Sequence, residues 1–411
     1  MSFSALALSP EVLRSVRDRG HHQPTPIQAD AIPVALAGRD LVASAGTGSG
    51  KTAAFLLPLL NRLHANGARG LAAMILAPTR ELAAQIGREF SLLARNTRFR
   101  AAVVVGGESM NRQVRELRTA QVVIACPGRL IDHLERGEVK LDRIGLVVID
   151  EADRMLDMGF LPQLRRVLRM VKGPHQTLMF SATMDASVEG VASEFLREPA
   201  RVNIGRISTP PASIRQSIYP VTAENKGPLL LKLLGGGEVE RAIVFTRTKS
   251  RADRAAKLLT RNGIKAVAIH GDRSQNQRNA ALAGFHRGHF TVLVATDVAA
   301  RGLDVPDVSH VINFDLPDSS DSYIHRIGRT ARMGKSGVAL SFAMPEDGTA
   351  LRDIEGTLGM KLERTQVEGF ETPEIDHPKR SAITKPRPVQ HRPLRGRPQG
   401  RGFFARRKHA R

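Results

Sequence analysis

The chain of 411 residues has no tryptophan, two tyrosines and a single cysteine, Cys126. One cysteine excludes an intramolecular disulfide and fits a reducing, cytoplasmic compartment. So few Trp and Tyr argue against a surface that reads bases by aromatic stacking. No apolar stretch approaches the ~18 residues of a membrane span. Met1-Ser2-Phe3 opens without the charged and apolar regions of a secretory signal, so no membrane association is expected. Acid is scarce as well: 61 Lys and Arg face 40 Asp and Glu, a formal net charge of +21. That balance points to a polyanionic partner. The excess is uneven, because His377 to Arg411 carries twelve Lys and Arg and no acid, leaving +9 on everything before it.

The length suggests two domains, and 42% hydrophobic residues can bury two cores. Short strand-like runs recur between helical stretches. Asp40-Leu41-Val42-Ala43, residues 72–76, residues 101–105, Val122-Val123-Ile124, Leu146-Val147-Val148-Ile149 and Leu178-Met179-Phe180 form one series. Runs at 242–245, 266–269, 292–295, 310–314 and 338–342 form a second. This spacing predicts βαβ units and parallel sheets buried on both faces. Between the series, Arg-Ile-Ser-Thr-Pro-Pro-Ala at 206–212 cannot continue a helix or a central strand and reads as a linker. The expected divisions are 1–205, a linker at 206–213, 214–370, and a disordered basic tail at 371–411 where Pro, Arg and Gly dominate.

Polar chemistry clusters where these runs end, the edge at which parallel sheets bind ligands. Ala45-Gly46-Thr47-Gly48-Ser49-Gly50-Lys51-Thr52 follows the first run and opens a helix. Its glycines let backbone N–H groups crowd a phosphate, Lys51 would reach the terminal phosphate oxygens, and the Thr52 hydroxyl suits Mg²⁺. A flexible Gly/Ser turn is the plainer alternative, but it does not account for the Lys-Thr ending. Asp150-Glu151 closes the run 146–149; Asp150 fits a cation and Glu151 a polarised water. Acids favouring a helix dipole would be the bland account of that pair. Gln28, after Pro24-Thr25-Pro26-Ile27, has an amide able to pair with adenine N6 and N7 together.

These residues, with Pro78-Thr79-Arg80-Glu81-Leu82, Asp150-Glu151-Ala152-Asp153 and Ser181-Ala182-Thr183, resemble the DEAD-box ATP-dependent RNA helicases. The second half agrees through Thr296-Asp297-Val298-Ala299-Ala300-Arg301-Gly302-Leu303-Asp304 and His325-Arg326-Ile327-Gly328-Arg329-Thr330-Ala331-Arg332. The resemblance runs from about Phe3 to Leu362, and the short body and basic tail look most like the bacterial RhlE-like group. It implies an α/β fold of two tandem RecA-like parallel-sheet domains that close on ATP, Mg²⁺ and one RNA strand. Phe3, Thr25 and Gln28 would serve adenine, and Ala45 to Thr52 the phosphates. Asp304 would contact the ribose, and Arg329 and Arg332 would reach across as arginine fingers. Asp153, Ser181, Thr183 and His325 would couple the nucleotide to the domain interface. RNA contacts would fall on Arg80, Gly106, Gly107, Pro127, Gly128, Arg129, Thr246, Gly271, Gln275, Arg278 and Thr296. Read alone, Gly106-Gly107 could equally be a plain turn and Arg278 a helix-surface charge.

Three positions depart from the family pattern. His21 stands where an aromatic ring usually stacks on adenine, Cys126 replaces a threonine before Pro127-Gly128-Arg129, and Ala331 replaces a glycine between the finger arginines. None removes a reacting group, and nothing in the sequence pairs Cys126 with a base. An RNA clamp timed by ATP and a DNA translocase are the rival functions; ATP-dependent strand displacement separates the first, and RNA against DNA stimulation of hydrolysis the second. Ribosome assembly, RNA decay and cold response all remain open as processes, with ribosomal or degradation-complex proteins as candidate partners. The tail cannot bury a core and should bind phosphates. Cutting the chain after Asp376 is expected to leave basal ATPase intact, weaken RNA binding and lower the log–log salt slope by ~0.7 for each phosphate no longer neutralised. Unchanged affinity and salt slope would show that the tail is no tether.

Overall fold

The computed structural model describes residues 2–46, 48–204, 213–237, 239–300, 305, 308–331 and 336–375. Most of the expected linker and nearly all of the basic tail therefore lie outside the described residues. One compact unit spans Met1–Asp376. No helix among the described residues is long and apolar enough to cross a membrane.

Fourteen strands are described. In chain order they are β1 Leu41–Ala45, β2 Ala73–Leu76, β3 Ala101–Val104, β4 Val122–Ala125, β5 Leu146–Ile149, β6 Gln176–Ser181 and β7 Ala200–Ile204. There follow β8 Ile214–Pro220, β9 Ala242–Phe245, β10 Ala266–Ile269, β11 Val292–Ala295, β12 His310–Asn313, β13 Gly337–Ala343 and β14 Glu363–Arg364. They form two sheets, ordered β3-β4-β2-β5-β6-β1-β7 and β10-β11-β9-β12-β13-β8-β14. Every neighbouring pair is parallel. Counted from its own first strand, the second sheet repeats the order of the first. One topology is folded twice.

The apolar runs explain the central strands. β1, β2, β4, β5 and β6 are buried along their whole length, as are β9 and β11, because helices cover both faces. Side chains on one face of the first sheet pack with the helices Pro26–Leu36, Lys51–Ala65 and Arg80–Leu93, and those on the other with the helices Pro127–Glu135 and Leu161–Arg169. Phe55 and Phe180 meet with ring centroids 5.3 Å apart, fixing the helix Lys51–Ala65 against β6. The repetition extends to helix caps. Thr79 accepts a hydrogen bond from the Leu82 N–H, and Thr248 accepts one from the Arg251 N–H, each at 3.2 Å. Ser109 and Ser274 cap the next helix of each half in the same way.

Parallel strands place all their carboxyl ends on one edge, so each sheet presents its loops together there. The segment that leads from the helix Ser320–Ile327 into β13 carries local strain. Ala331 has a φ of +54°, the left-handed region that costs a residue with a Cβ about 1–2 kcal/mol. The family glycine missing from this position has a physical reason to be there. Ala331→Gly is expected to stabilise the second half by roughly 0.5–1 kcal/mol in urea unfolding, the relief of that strain less the entropy of a freer chain. A destabilised variant would contradict the strain.

Candidate active site and nucleic-acid interface

The phosphate loop joins β1 to the helix Lys51–Ala65. Gly48 and Gly50 have φ of +81° and +97°. A Cβ on Gly50 would lie 2.5 Å from Gln28 Nε2 and 2.9 Å from Thr25 Oγ1, so both the backbone angle and the crowding require glycine. Gln28 Oε1 accepts the Thr25 N–H at 3.0 Å, and its Nε2 donates to the Gly50 carbonyl at 3.1 Å. The residue expected at adenine is thereby tied to the phosphate loop itself. Lys51, at the head of the helix, is buried and donates from Nζ to the carbonyls of Ala45 and Gly46. Ser49 Oγ donates to Gly46 O at 2.7 Å. Thr52 follows, half-buried in the first turn, where free N–H groups and the helix dipole favour an anion. Phe3, expected at the base, is buried in the apolar core with Leu6 and Leu8. Thr47 lies outside the described residues.

Asp150 and Glu151 leave β5 beside this loop. Asp150 is 2% exposed, and burial pushes its carboxyl up to about 7, with the Glu151 carboxylate adding and the Lys51 ammonium opposing. A carboxylate so placed is a natural ligand for a hard cation, which would restore the charged form. Mg²⁺ typically takes one or two carboxylates with phosphate oxygens and water, and the donor set of Asp150 and Thr52 fits it. Glu151 adopts φ +53°, ψ +54°, a left-handed backbone at the start of the helix Ala152–Asp157. Its N–H donates to Asp150 Oδ1 at 3.0 Å and its carboxylate pairs with Arg154. Strain of this kind concentrates where a side chain must be aimed.

Asp153 links this centre to the next loop. Its Oδ2 accepts from the Ala182 and Thr183 N–H groups at 3.0 and 2.9 Å and from Thr183 Oγ1 at 3.2 Å. Ser181 Oγ accepts the Asp153 N–H at 3.3 Å. The four expected coupling residues include His325 of the second half, and it comes near. Burial lowers the imidazole pKa; the Arg154 guanidinium of the first half lowers it further, and Asp153 opposes. Arg329 is buried one turn further on. Between them Arg326 donates to both oxygens of Asp297 at 2.6 Å and to Asn313 Oδ1 at 3.1 Å, over the face of Phe245. The sequence marked Arg326 only as a motif letter. Asp304 and Arg332 lie outside the described residues.

Ten of the eleven expected RNA residues divide into three groups, with Gly271 apart. Arg80, Gly106, Gly107, Gln275 and Arg278 come together across the two halves. Arg80 Nη1 donates to Gln275 Oε1 at 3.2 Å, and a Cβ on Gly106 or Gly107 would run into the Arg80 guanidinium. Glu81 Oε1 accepts from Arg278 Nε at 2.8 Å and from Gln275 Nε2 at 3.3 Å. The sequence marked Glu81 only as part of Pro78-Thr79-Arg80-Glu81-Leu82, and its partner Arg278 lies 197 positions away. Arg129 forms a second group. It donates to the Glu108 carbonyl at 3.1 Å and lies 3.5 Å from Gln113 Oε1, tying the segment after Gly106-Gly107 to the helix Pro127–Glu135 that Pro127 and Gly128 open. Gln113, fully buried, also donates to Val105 O and pairs with His133, a support the sequence reading missed. Thr246 and Thr296 form the third, both buried at strand ends, with the Thr246 hydroxyl donating to Thr248 O. Gly271 sits exposed beside the Lys249 stem. Burial pushes the Cys126 thiol up to about 12, which keeps it protonated and no nucleophile.

Two family models match, DEAD/DEAH box helicase over residues 25–191 and helicase conserved C-terminal domain over 225–334. The chain is 43% identical to the DEAD-box ATP-dependent RNA helicase CshA of Bacillus cereus over 366 residues, 88% of this chain and 69% of that one. CshA of Bacillus subtilis is 41% identical over 365 residues, 89% and 74% of the two chains. Among solved structures, S. cerevisiae Dbp5 bound to RNA and ADP BeF3 superposes with a TM-score of 0.82 at 32% identity, covering 89% of this chain and 95% of that one. Mss116p bound to ssRNA and AMP-PNP gives 0.82 at 28% identity, covering 90% and 80%. The two sheets are thus RecA-like domains, and their likeness is to helicases holding RNA and nucleotide together. Sequence, fold and motif placement converge along nearly the whole compact unit: the chain belongs to the DEAD-box ATP-dependent RNA helicases.

Proposed function

We propose that this helicase separates short RNA duplexes locally by closing its two domains over ATP and one strand, bending that strand out of its partner's reach. The contact that carries this reading is the cluster of Arg80, Glu81, Gln275 and Arg278, which spans the two domains on the candidate RNA face. On the nucleotide face of the same interface, His325 feels the charges of Arg154 and Asp153. One closure therefore assembles both faces. Each base-pair step is worth about 1.4 kcal/mol in DNA, so a single closure would open only a few pairs.

In this reading Ala45 to Thr52 cradle the phosphates and Gln28 selects adenine, while Thr52 and Asp150 hold Mg²⁺. The cation, when bound, neutralises developing charge on the phosphates. Glu151 orients the attacking water and Arg329, with Arg332, stabilises the transferred charge after closure. Arg80, Gly106, Gly107, Arg129, Gln275 and Arg278 meet phosphates and 2′-hydroxyls, contacts that position a strand without reading its sequence. We assign the domains to 1–205 and 214–370, a linker to 206–213 and a basic tail to 371–411, supported by the strand gap between Ile204 and Ile214. The short body and basic tail support placing the chain near the RhlE-like group. Low cysteine content supports a cytoplasmic site of action. Structured RNA of ribosomes or of the decay machinery, with the proteins on it, suits such a local unwinder.

Glu151→Gln is expected to keep ATP and RNA binding and reduce steady-state hydrolysis by at least about 10²-fold, measured by phosphate release. Normal turnover in that variant would remove Glu151 from the water-orienting role. Arg329→Ala should cut RNA-stimulated hydrolysis by about 10³-fold with nucleotide affinity within a few fold. Equal losses with and without RNA would indicate a folding defect instead.

A further inference from the structure

Because one topology is folded twice, the Lys51 and Asp150 positions of the nucleotide site have counterparts in the second domain. Lys51 is the first residue of the helix that follows β1; Lys226 is the first residue of the helix that follows β8, which stands in the place of β1. Asp150 directly follows β5, and Asp315 follows β12, which stands in the place of β5, with Phe314 between. The backbone agrees, since the Asp150 N–H donates to the last carbonyl of β2 and the Asp315 N–H to the last carbonyl of β9. The chemistry differs. No glycine loop precedes Lys226, which instead follows Val221-Thr222-Ala223-Glu224-Asn225. Lys226 Nζ donates directly to Asp315 Oδ1 at 2.9 Å, with both side chains almost wholly buried. Arg251 Nη1 donates to the same oxygen at 2.6 Å.

Asp315 has two further bonds, and they point in different directions. Its Oδ2 accepts the Arg247 N–H at 2.9 Å, fixing the loop Thr246-Arg247-Thr248 that leads from β9 on the RNA side. Its backbone carbonyl accepts Arg326 Nη1 at 2.6 Å, and Arg326 belongs to the helix Ser320–Ile327 that carries His325 and leads to Arg329. We infer that Asp315 is a positioning residue. It sits in a second-domain counterpart of the nucleotide site that Lys226 has sealed, and it locks the RNA-side loop to the helix that reaches the nucleotide.

In the first domain a ligand must arrive to organise the equivalent carboxylate. In the second the chain supplies its own cation, so the link between the RNA face and the arginine-bearing helix is permanent. A permanent link transmits RNA contact at one end to the nucleotide at the other without a step of its own. This inference rests on the unwinding mechanism proposed above and adds residues that touch neither ligand.

The test replaces the pair by apolar residues of similar size, Lys226→Met with Asp315→Leu, a change that buried ion pairs often tolerate in stability. Melting temperature and affinity for a fluorescent ADP are expected to stay near wild type, because the first domain is untouched. The RNA concentration for half-maximal ATPase stimulation should rise about tenfold and the maximal stimulated rate fall by a similar factor, as when charge-assisted bonds are removed. A folded double variant with wild-type values for both would overturn the inference. Should the double variant fail to fold, Arg251→Met, half-exposed and removing one of Asp315's three side-chain bonds, is read the same way. It should raise the half-stimulating RNA concentration about threefold at constant ADP affinity, and no change would again overturn the inference. Wild-type protein measured alongside separates the two ideas, since a wild type unresponsive to RNA would sink the proposed mechanism itself.

Discussion

Asp150 and Asp315 are each buried at the carboxyl edge of a parallel sheet, where water cannot stabilise their charge. A buried carboxylate must find a cation, find donors or give up its charge. The two domains answer differently. Asp315 has Lys226, Arg251 and the Arg247 N–H, and although burial works to raise its pKa, the Lys226 charge and these bonds hold it below the ordinary carboxylate range. Asp150 has one backbone donor and a more distant Lys51, and its carboxyl is pushed up. The first domain is unfinished electrostatically, and in the proposed mechanism nucleotide with its cation would complete it. The second supplies its own cations and donors to the equivalent carboxylate.

That asymmetry is laid on a duplicated frame. Equivalent caps at Thr79 and Thr248, and at Ser109 and Ser274, place equivalent helix starts at the same edge of each sheet. Arg80 and Gln275 stand at the heads of two of those helices and meet across the interface. Among the described residues a few polar contacts of this kind bridge the candidate RNA face, and partly exposed ion pairs are worth little each. Arg278 with Glu81 is the best shielded of them. An interface of this character is suited to opening and closing with its ligands rather than to permanent closure.

Much of this was legible in the sequence because buried parallel strands leave wholly apolar runs, and the runs at 146–149 and 242–245 match β5 and β9 residue for residue. The phosphate loop and the acids after β5 stood out for the same reason, polar chemistry at the end of an apolar run. The edge strands β7 and β14 are hidden in the sequence because exposure leaves them with residues such as Arg201, Asn203 and Glu363. β8 is hidden because Arg215, Gln216 and Ser217 interrupt its apolar pattern. Gln113, Lys226 and Asp315 give no signal, and Glu81 none beyond its place in Pro78-Thr79-Arg80-Glu81-Leu82, because their meaning is a partner distant in sequence, and spacing carries no trace of it. Phe3 reads as a ligand contact from its family position yet packs into the core, where an apolar ring is stabilised by burial alone. Ala331 was legible as a missing glycine, and its left-handed backbone supplies the reason.

The central claim is that two domains of one topology present one nucleotide site, the other having been closed by its own lysine. Isothermal titration of the full chain with a non-hydrolysable ATP analogue and Mg²⁺, for wild type and Lys51→Ala, tests it most directly. The account predicts one nucleotide per chain, with that binding weakened severely in Lys51→Ala and no second site remaining. Two nucleotides per chain, or a site of undiminished affinity in Lys51→Ala, would contradict it.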